Sequence, residues 1–205
     1  MRPEGRGRGR VVRAAAAAAA AVVAAGAAGP GPAAGVEGKR YARSVAHYEA
    51  PTVTLVDRSG EAVELPALLD HDGPVVLQFV FTTCPAVCPM LAGAVVRARE
   101  RLGADGRDLL VVSISIDPEH DRPQRLAAWV RGFGGGGDPG PRWRTLTGER
   151  EAIEAVRRAF AAGSADKMEH RPLTFVRGAP GRPWLRLEGF PGAADLAAEV
   201  RAAAR

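Results

Sequence analysis

The stretch PVVLQFVFTTCPAVCPML, residues 74–91, carries three signals in succession. Residues 74–81 are apolar apart from Gln78, a run with the length and continuity of a strand covered on both faces. Both cysteines of the chain follow, and Cys84 and Cys88 stand four apart instead of the three apart of a CxxC dithiol. Behind them Leu91, Ala94, Val95, Ala98 and Leu102 recur at helical spacing. The segment therefore predicts a buried strand, a cysteine loop and a helix.

Working outward, TVTLVDRSGEAVEL (52–65) alternates on either side of a turn at Arg58-Ser59-Gly60 and predicts a hairpin. DLLVVSISID (108–117) predicts a second buried strand, ending in the loop DPEHDRP, and RLAAWVRGF (125–133) a short helix. GGGGDPGP (134–141) suits only a surface loop. TGEREAIEAVRRAF (147–160) predicts a helix with Thr147 as N-cap, acidic residues in its first turn, and Ile153, Val156 and Phe160 on one face. PLTFVRGAPGRPWLRLEGF (172–190) predicts two strands around a Gly/Pro turn, followed by an amphipathic helix from Ala193. This is an α/β order: a mixed central sheet flanked by helices, with an extra N-terminal hairpin around a βαβ unit and a terminal ββα. It is thioredoxin-like, with the cysteines after a central strand and at a helix start.

At 205 residues the chain suits one domain, from residue 46 to 205, plus a tail. Its net charge of +5 arises at the N-terminus, where Arg2, Arg6, Arg8, Arg10 and Arg13 face Glu4 alone; the remainder holds 23 basic and 22 acidic residues. A nucleic-acid surface is therefore not indicated. The arginine-rich opening, the uncharged stretch Ala14–Ala28 and GPGPAAG read as a signal peptide or an N-terminal membrane anchor over residues 1–28, with 29–45 as linker. No cysteine follows closely enough for a lipoprotein anchor, and Gly9 interrupts any twin-arginine pair. The location expected is extracytoplasmic, where an unprotected cysteine pair oxidises.

Residues i and i+4 share a helix face, so Cys84 and Cys88 can present two sulfurs to one soft ion. Proline follows each cysteine, so the helix is expected to start at Pro85 or Pro89, with both thiols at its N-terminal end, where the helix dipole favours thiolate. A third donor is sought among the histidines. His47 and His71 read as solvated, and His120 lies in the DPEHDRP loop at the same sheet edge as the cysteines. His170 precedes Arg171-Pro172 and the strand LTFV; a cis or sharply turned Arg171–Pro172 peptide would bring it to the sulfurs. Asp117, Glu119 and Asp121 read as a loop start and a cap, with Asp121 capping the helix after Pro123. Met90 and Met168 flank the candidate ligands at two residues' distance; they read as core packing, with thioether donation as the alternative.

CPAVCP, SISIDPEHDRP and a late histidine before a strand together resemble the SCO/SenC family of copper-binding assembly proteins over residues 46–205. The resemblance implies copper held by Cys84, Cys88 and His170, received from a copper donor protein and passed by ligand exchange to a cuproenzyme such as cytochrome c oxidase. The family pattern is altered here by Ala86 after the first Cys-Pro, where an acidic residue is usual, and by Glu169 and Arg171 around the histidine. Arg171 is expected to point away from the site or to pair with Glu169. Thiolates suit Cu(I) and imidazole suits both copper oxidation states, whereas a structural zinc site would want a fourth ligand. The alternative function is a thiol-disulfide oxidoreductase with Cys84 attacking and Cys88 resolving. A plain stabilising disulfide would close too small a loop to constrain the unfolded chain.

Overall fold

The computed structural model describes residues 39–133, 139–164 and 166–205. The segments read as leader (1–28) and most of the linker, together with the centre of the glycine-rich loop, lie outside them. Among the described residues no helix is long and apolar enough to cross a membrane.

Strand β4 (Val75–Val80) is wholly buried, as its unbroken apolar run demands. Its side chains alternate between two hydrophobic layers, with Leu77 and Phe79 on one face of the sheet and Val76 on the other. Strand β5 (Leu110–Ser115) runs parallel to it and β7 (Leu173–Arg177) antiparallel on the other side. Around them the sheet is completed by β1 (Tyr41–Ala46), β2 (Thr54–Asp57), β3 (Ala62–Glu64), β6 (Trp143–Thr147) and β8 (Trp184–Gly189). The strand order is β1-β8-β7-β4-β5-β6-β2-β3.

Helices cover both faces. Residues of α2 (Val87–Leu102) and α5 (Ala193–Ala203) pack in one layer with Val76, Val111, Trp143 and Val176. On the other, α1 (Leu65–Leu69) and α4 (Arg150–Ala159) pack on Leu77, Val112 and an aromatic cluster of Phe79, Phe160, Phe175 and Trp184. Phe175 meets Phe160 and Phe79 edge-on at ring-centroid distances of 5.3 and 6.1 Å, the geometry aromatic quadrupoles favour. Helix α3 (Pro123–Arg131) follows the β5 loop. Helix α2 stops at Gly103, whose φ of +58° turns the chain in a conformation that glycine alone adopts without cost.

The hairpin and the β7–β8 pair form as predicted, and β7 lies beside β4. Three expectations change. The residues 41–46, most of them read as linker, form edge strand β1, paired along its length with β8. A further strand, β6, was not expected. Thr147 ends β6 instead of capping a helix, and α4 begins at Arg150 behind Glu149. Trp143 and Thr145 of β6 are fully buried, and the Trp143 indole N–H donates to Ser113 Oγ at 3.0 Å.

The topology brings the three interesting loops to one edge. Because β4 and β5 are parallel, the cysteine loop and the DPEHDRP loop leave from the same end of the sheet, as in open α/β sheets generally. Antiparallel β7 starts at that end, since Thr174 pairs with Gln78, so the residues before Leu173 arrive there too.

Candidate metal centre at the end of strand β4

After β4 the chain turns at Phe81, whose carbonyl accepts the Cys84 N–H at 3.1 Å. Asp121 then holds the loop from beneath. Its carboxylate accepts the Thr82 N–H at 3.0 Å, the Thr82 hydroxyl, and the Ser115 hydroxyl at 2.7 Å. Asp121 is 0% exposed, so these are buried, charge-assisted bonds in which the acceptor has little access to water. Arg122, with extended backbone, occupies the N-cap of α3 without a side-chain cap. Asp121 is thus a clamp between the β4 and β5 loops and not the expected helix cap.

Helix α2 begins at Val87 with Ala86 as N-cap, at neither proline. Pro89 therefore falls at the third helical position, where its missing N–H would have had no partner within the helix. Only Cys88 lies on the helix. Cys84 precedes it, and its sulfur accepts the Cys88 N–H at 3.3 Å, filling the place of a capping oxygen. The two sulfurs meet through this turn and not through a shared helix face. Both cysteines are free thiols, 8% and 0% exposed. Burial pushes the Cys88 thiol well above its ordinary pKa, and its hydrogen bond with Cys84 adds to the rise. The helix dipole therefore does not prevail at Cys88: desolvation of the thiolate is the larger effect.

His170 ends a 3-10 turn, Lys167–Glu169, ahead of β7. Its ring packs edge-on against Phe81 with centroids 5.7 Å apart, beside the cysteine loop. Burial lowers its pKa, with hydrogen bonding to the Phe79 backbone opposing and the Arg157 charge reinforcing the drop, so the ring is neutral at neutral pH. Its Nε2 is buried without a partner, a lone pair left available. Among the described residues, however, no three His, Cys, Asp or Glu side chains already form a group able to hold a metal. The structure brings His170 to the cysteine loop without closing a three-donor cluster.

Arg171–Pro172 is not cis; no cis peptide occurs among the described residues. Arg171 donates to Glu188 at 3.3 Å and to the Ala161 carbonyl at 3.0 Å, so it is engaged by these partners and not by Glu169. His120 is exposed and its Nδ1 lies 3.0 Å from Asp117. Asp117 also accepts from Lys167 Nζ at 2.6 Å, and Lys167 stands 6.0 Å over the Phe81 ring. Burial alone would raise the Asp117 carboxyl, but the hydrogen bonds from Lys167 and His120 outweigh it and hold its pKa below the usual range. This Asp117–Lys167 tie between the β5 loop and the histidine segment was not read from the sequence, because the partners lie fifty residues apart. Met90 and Met168, read as core, are both exposed.

A thioredoxin-like sheet with two neighbouring thiols at the end of its central strand and an imidazole with an unpartnered nitrogen against the cysteine loop defines a dithiol protein equipped for soft-metal or thiol chemistry. Residues 43–205 match the SCO1/SenC family model, and the chain belongs to that family. The SCO1 protein homolog of Bacillus subtilis is 27% identical over 153 residues, covering 71% of this chain and 76% of that protein. The solved structure of BsSco, described as a member of the Sco family of cytochrome c oxidase assembly proteins with a disulfide switch, is 25% identical with a TM-score of 0.63, covering 78% of this chain and 95% of that one. Arabidopsis thaliana ScoI, solved with copper bound, is 24% identical with a TM-score of 0.62, covering 76% and 98%.

Proposed function

We propose that this protein is a copper-binding SCO protein that holds copper through Cys84, Cys88 and His170 and delivers it to a cuproenzyme, of which cytochrome c oxidase is the leading candidate. The observation that carries the reading is the buried, partnerless Nε2 of His170, whose ring packs on Phe81 at the start of the loop that carries a buried dithiol. Two sulfurs and an imidazole form a soft, mixed donor set that suits copper in either oxidation state. Copper is the cargo. Because burial holds Cys88 as a thiol, uptake releases its proton to solvent, and the histidine segment must close by a small movement to add the third donor. Release is the reverse exchange, onto an acceptor's thiolates. Residues 1–28 act in this reading as the export signal or anchor that places the domain outside the cytoplasm, where donor and acceptor meet.

A second reading shares the same sulfurs. The hydrogen-bonded approach of Cys88 to Cys84 suits disulfide formation, so the reduced pair would reduce an acceptor's disulfide while forming its own, or the oxidised pair would oxidise an acceptor's dithiol in the reverse exchange, before or instead of metal transfer. One titration of the reduced full chain under anaerobic conditions separates them. Copper chaperoning expects one bound copper, a thiolate-to-Cu(II) charge-transfer band, loss of that band in Cys84→Ser and Cys88→Ser, and weakened binding in His170→Ala. A wild-type chain that takes up no copper yet reduces generic protein disulfides at the same rate with and without His170 would overturn the copper reading in favour of the redox one.

A further inference from the structure

The chain has three methionines, and Met1 lies outside the described residues. The other two are 53% and 61% exposed, and with Val45 they make up the large exposed hydrophobic side chains among the described residues. Methionine ordinarily fills gaps in a core, yet the core here is built from Leu, Val, Ile, Phe, Trp and Ala. Leaving half or more of such a side chain in water forgoes much of what its burial would contribute.

Their positions are not scattered. Met90 lies in the first turn of α2, two residues beyond Cys88, its N–H bonded to the Ala86 carbonyl at 3.1 Å. Met168 is the middle residue of the 3-10 turn, two residues before His170, and its N–H is held by Asp166 Oδ1 at 2.8 Å. In each case hydrogen-bonded backbone carries a solvated thioether. The neighbour of Met168, Lys167, reaches over Phe81, and His170 touches the same ring, so the turn stands on the border of the cysteine loop. Met90 thus sits on the helix that carries Cys88, and Met168 on the turn that leads into His170.

We propose that Met90 and Met168 are entry ligands for monovalent copper, catching the ion at the rim and passing it to the buried sulfurs. The proposal rests on the copper reading above and deepens it. A thioether is a soft, neutral donor that binds a soft monovalent ion without losing a proton, whereas a thiol must give one up. In the hand-over each copper–thioether bond breaks as a copper–thiolate bond forms, with the thiol proton leaving to solvent and no change of oxidation state. Weak rim donors let the ion arrive and depart without raising the final affinity.

The first test uses the full-length Cys84→Ser/Cys88→Ser chain with methyl-labelled methionine, titrated with Ag(I) as a redox-inert stand-in for Cu(I). The Met90 and Met168 methyl resonances, assigned with Met90→Leu and Met168→Leu, shift on addition of silver while that of Met1 does not. Resonances that stay in place overturn the proposal. The second test follows Cu(I) transfer from a chelator to the reduced chain by stopped flow. In Met90→Leu/Met168→Leu the loading rate falls about tenfold with unchanged final occupancy. Leucine keeps the apolar surface, so an unaltered rate means the methionines serve contact and not coordination, and the proposal fails. If the wild type takes up no copper, the proposed function fails on its own, and the silver titration alone decides the thioether site.

Discussion

The two borders of the site are built differently. The cysteine border is held from within, by three hydrogen bonds into the fully buried carboxylate of Asp121 and by the Cys88 N–H bonded to the Cys84 sulfur. Apart from the His170 ring's hydrogen bond to the Phe79 backbone and its packing on Phe81, the histidine border is held from outside. Lys167, more than a third exposed, reaches Asp117, Asp166 caps a single 3-10 turn, and Arg171 and Glu188 pair in solvent. Buried charge-assisted bonds are costly to break, while solvent-accessible pairs exchange with water at little cost. In the proposed reading, a site that takes an ion and surrenders it gains from having one side fixed and the other free to yield.

That contrast can be broken experimentally, and the largest effect should come from its buried side. Asp121→Ala strands the Thr82 N–H and the Ser115 hydroxyl away from water, and we expect a loss of about 3 kcal/mol in urea unfolding of the reduced chain. A loss below about 1 kcal/mol would mean that the cysteine loop is not held by this clamp. His170→Ala comes next, acting on binding and not on folding. Copper affinity should fall about tenfold or more, equivalent to 1.4 kcal/mol, while stability is kept because a buried unpaired nitrogen is removed. Equal losses in folding and binding would show that the histidine is a core residue first.

The histidine border should respond more weakly and with a pH signature. Asp117→Asn should cost about 1 kcal/mol at neutral pH, and Lys167→Met should destabilise in the same direction. Because the Asp117 carboxyl is held below its ordinary value, its stabilisation is present above the unfolded-state pKa and is lost as the pH falls through the folded-state one. The gap between wild type and Asp117→Asn should therefore close on acidification below the usual carboxylate range. A gap that persists in strong acid would mean the aspartate acts through shape and not charge. The smallest effect belongs to Arg171→Ala, expected within about 0.5 kcal/mol for folding, since its partners are exposed. A marked change in copper affinity in this variant would place the guanidinium's field within the site.

How far each element could be read beforehand depended on whether its signal is local. The buried run 75–80, the period of α2 and the paired runs of β7 and β8 are properties of neighbouring residues, and the structure keeps them. Strand β6 escaped notice because WRTLT is short, carries two threonines and follows a glycine-rich loop; only the partners on either side make those threonines buried sheet residues. Strand β1 escaped for the same reason, as four of its six residues are exposed and its identity comes from β8.

The sequence by itself determined the candidate donors: two cysteines at a strand end and a histidine before a strand are chemical facts of the chain, and their motifs resemble those of the family. The tertiary structure alone decided how those donors are held. The placement of the α2 start at Val87, the burial that keeps Cys88 a thiol, the clamp from Asp121 and the tie from Lys167 to Asp117 all depend on contacts between segments far apart in the chain. Residue type sets what a side chain can do. Desolvation and hydrogen-bond geometry, which arise only when distant segments pack, decide which of those abilities is expressed.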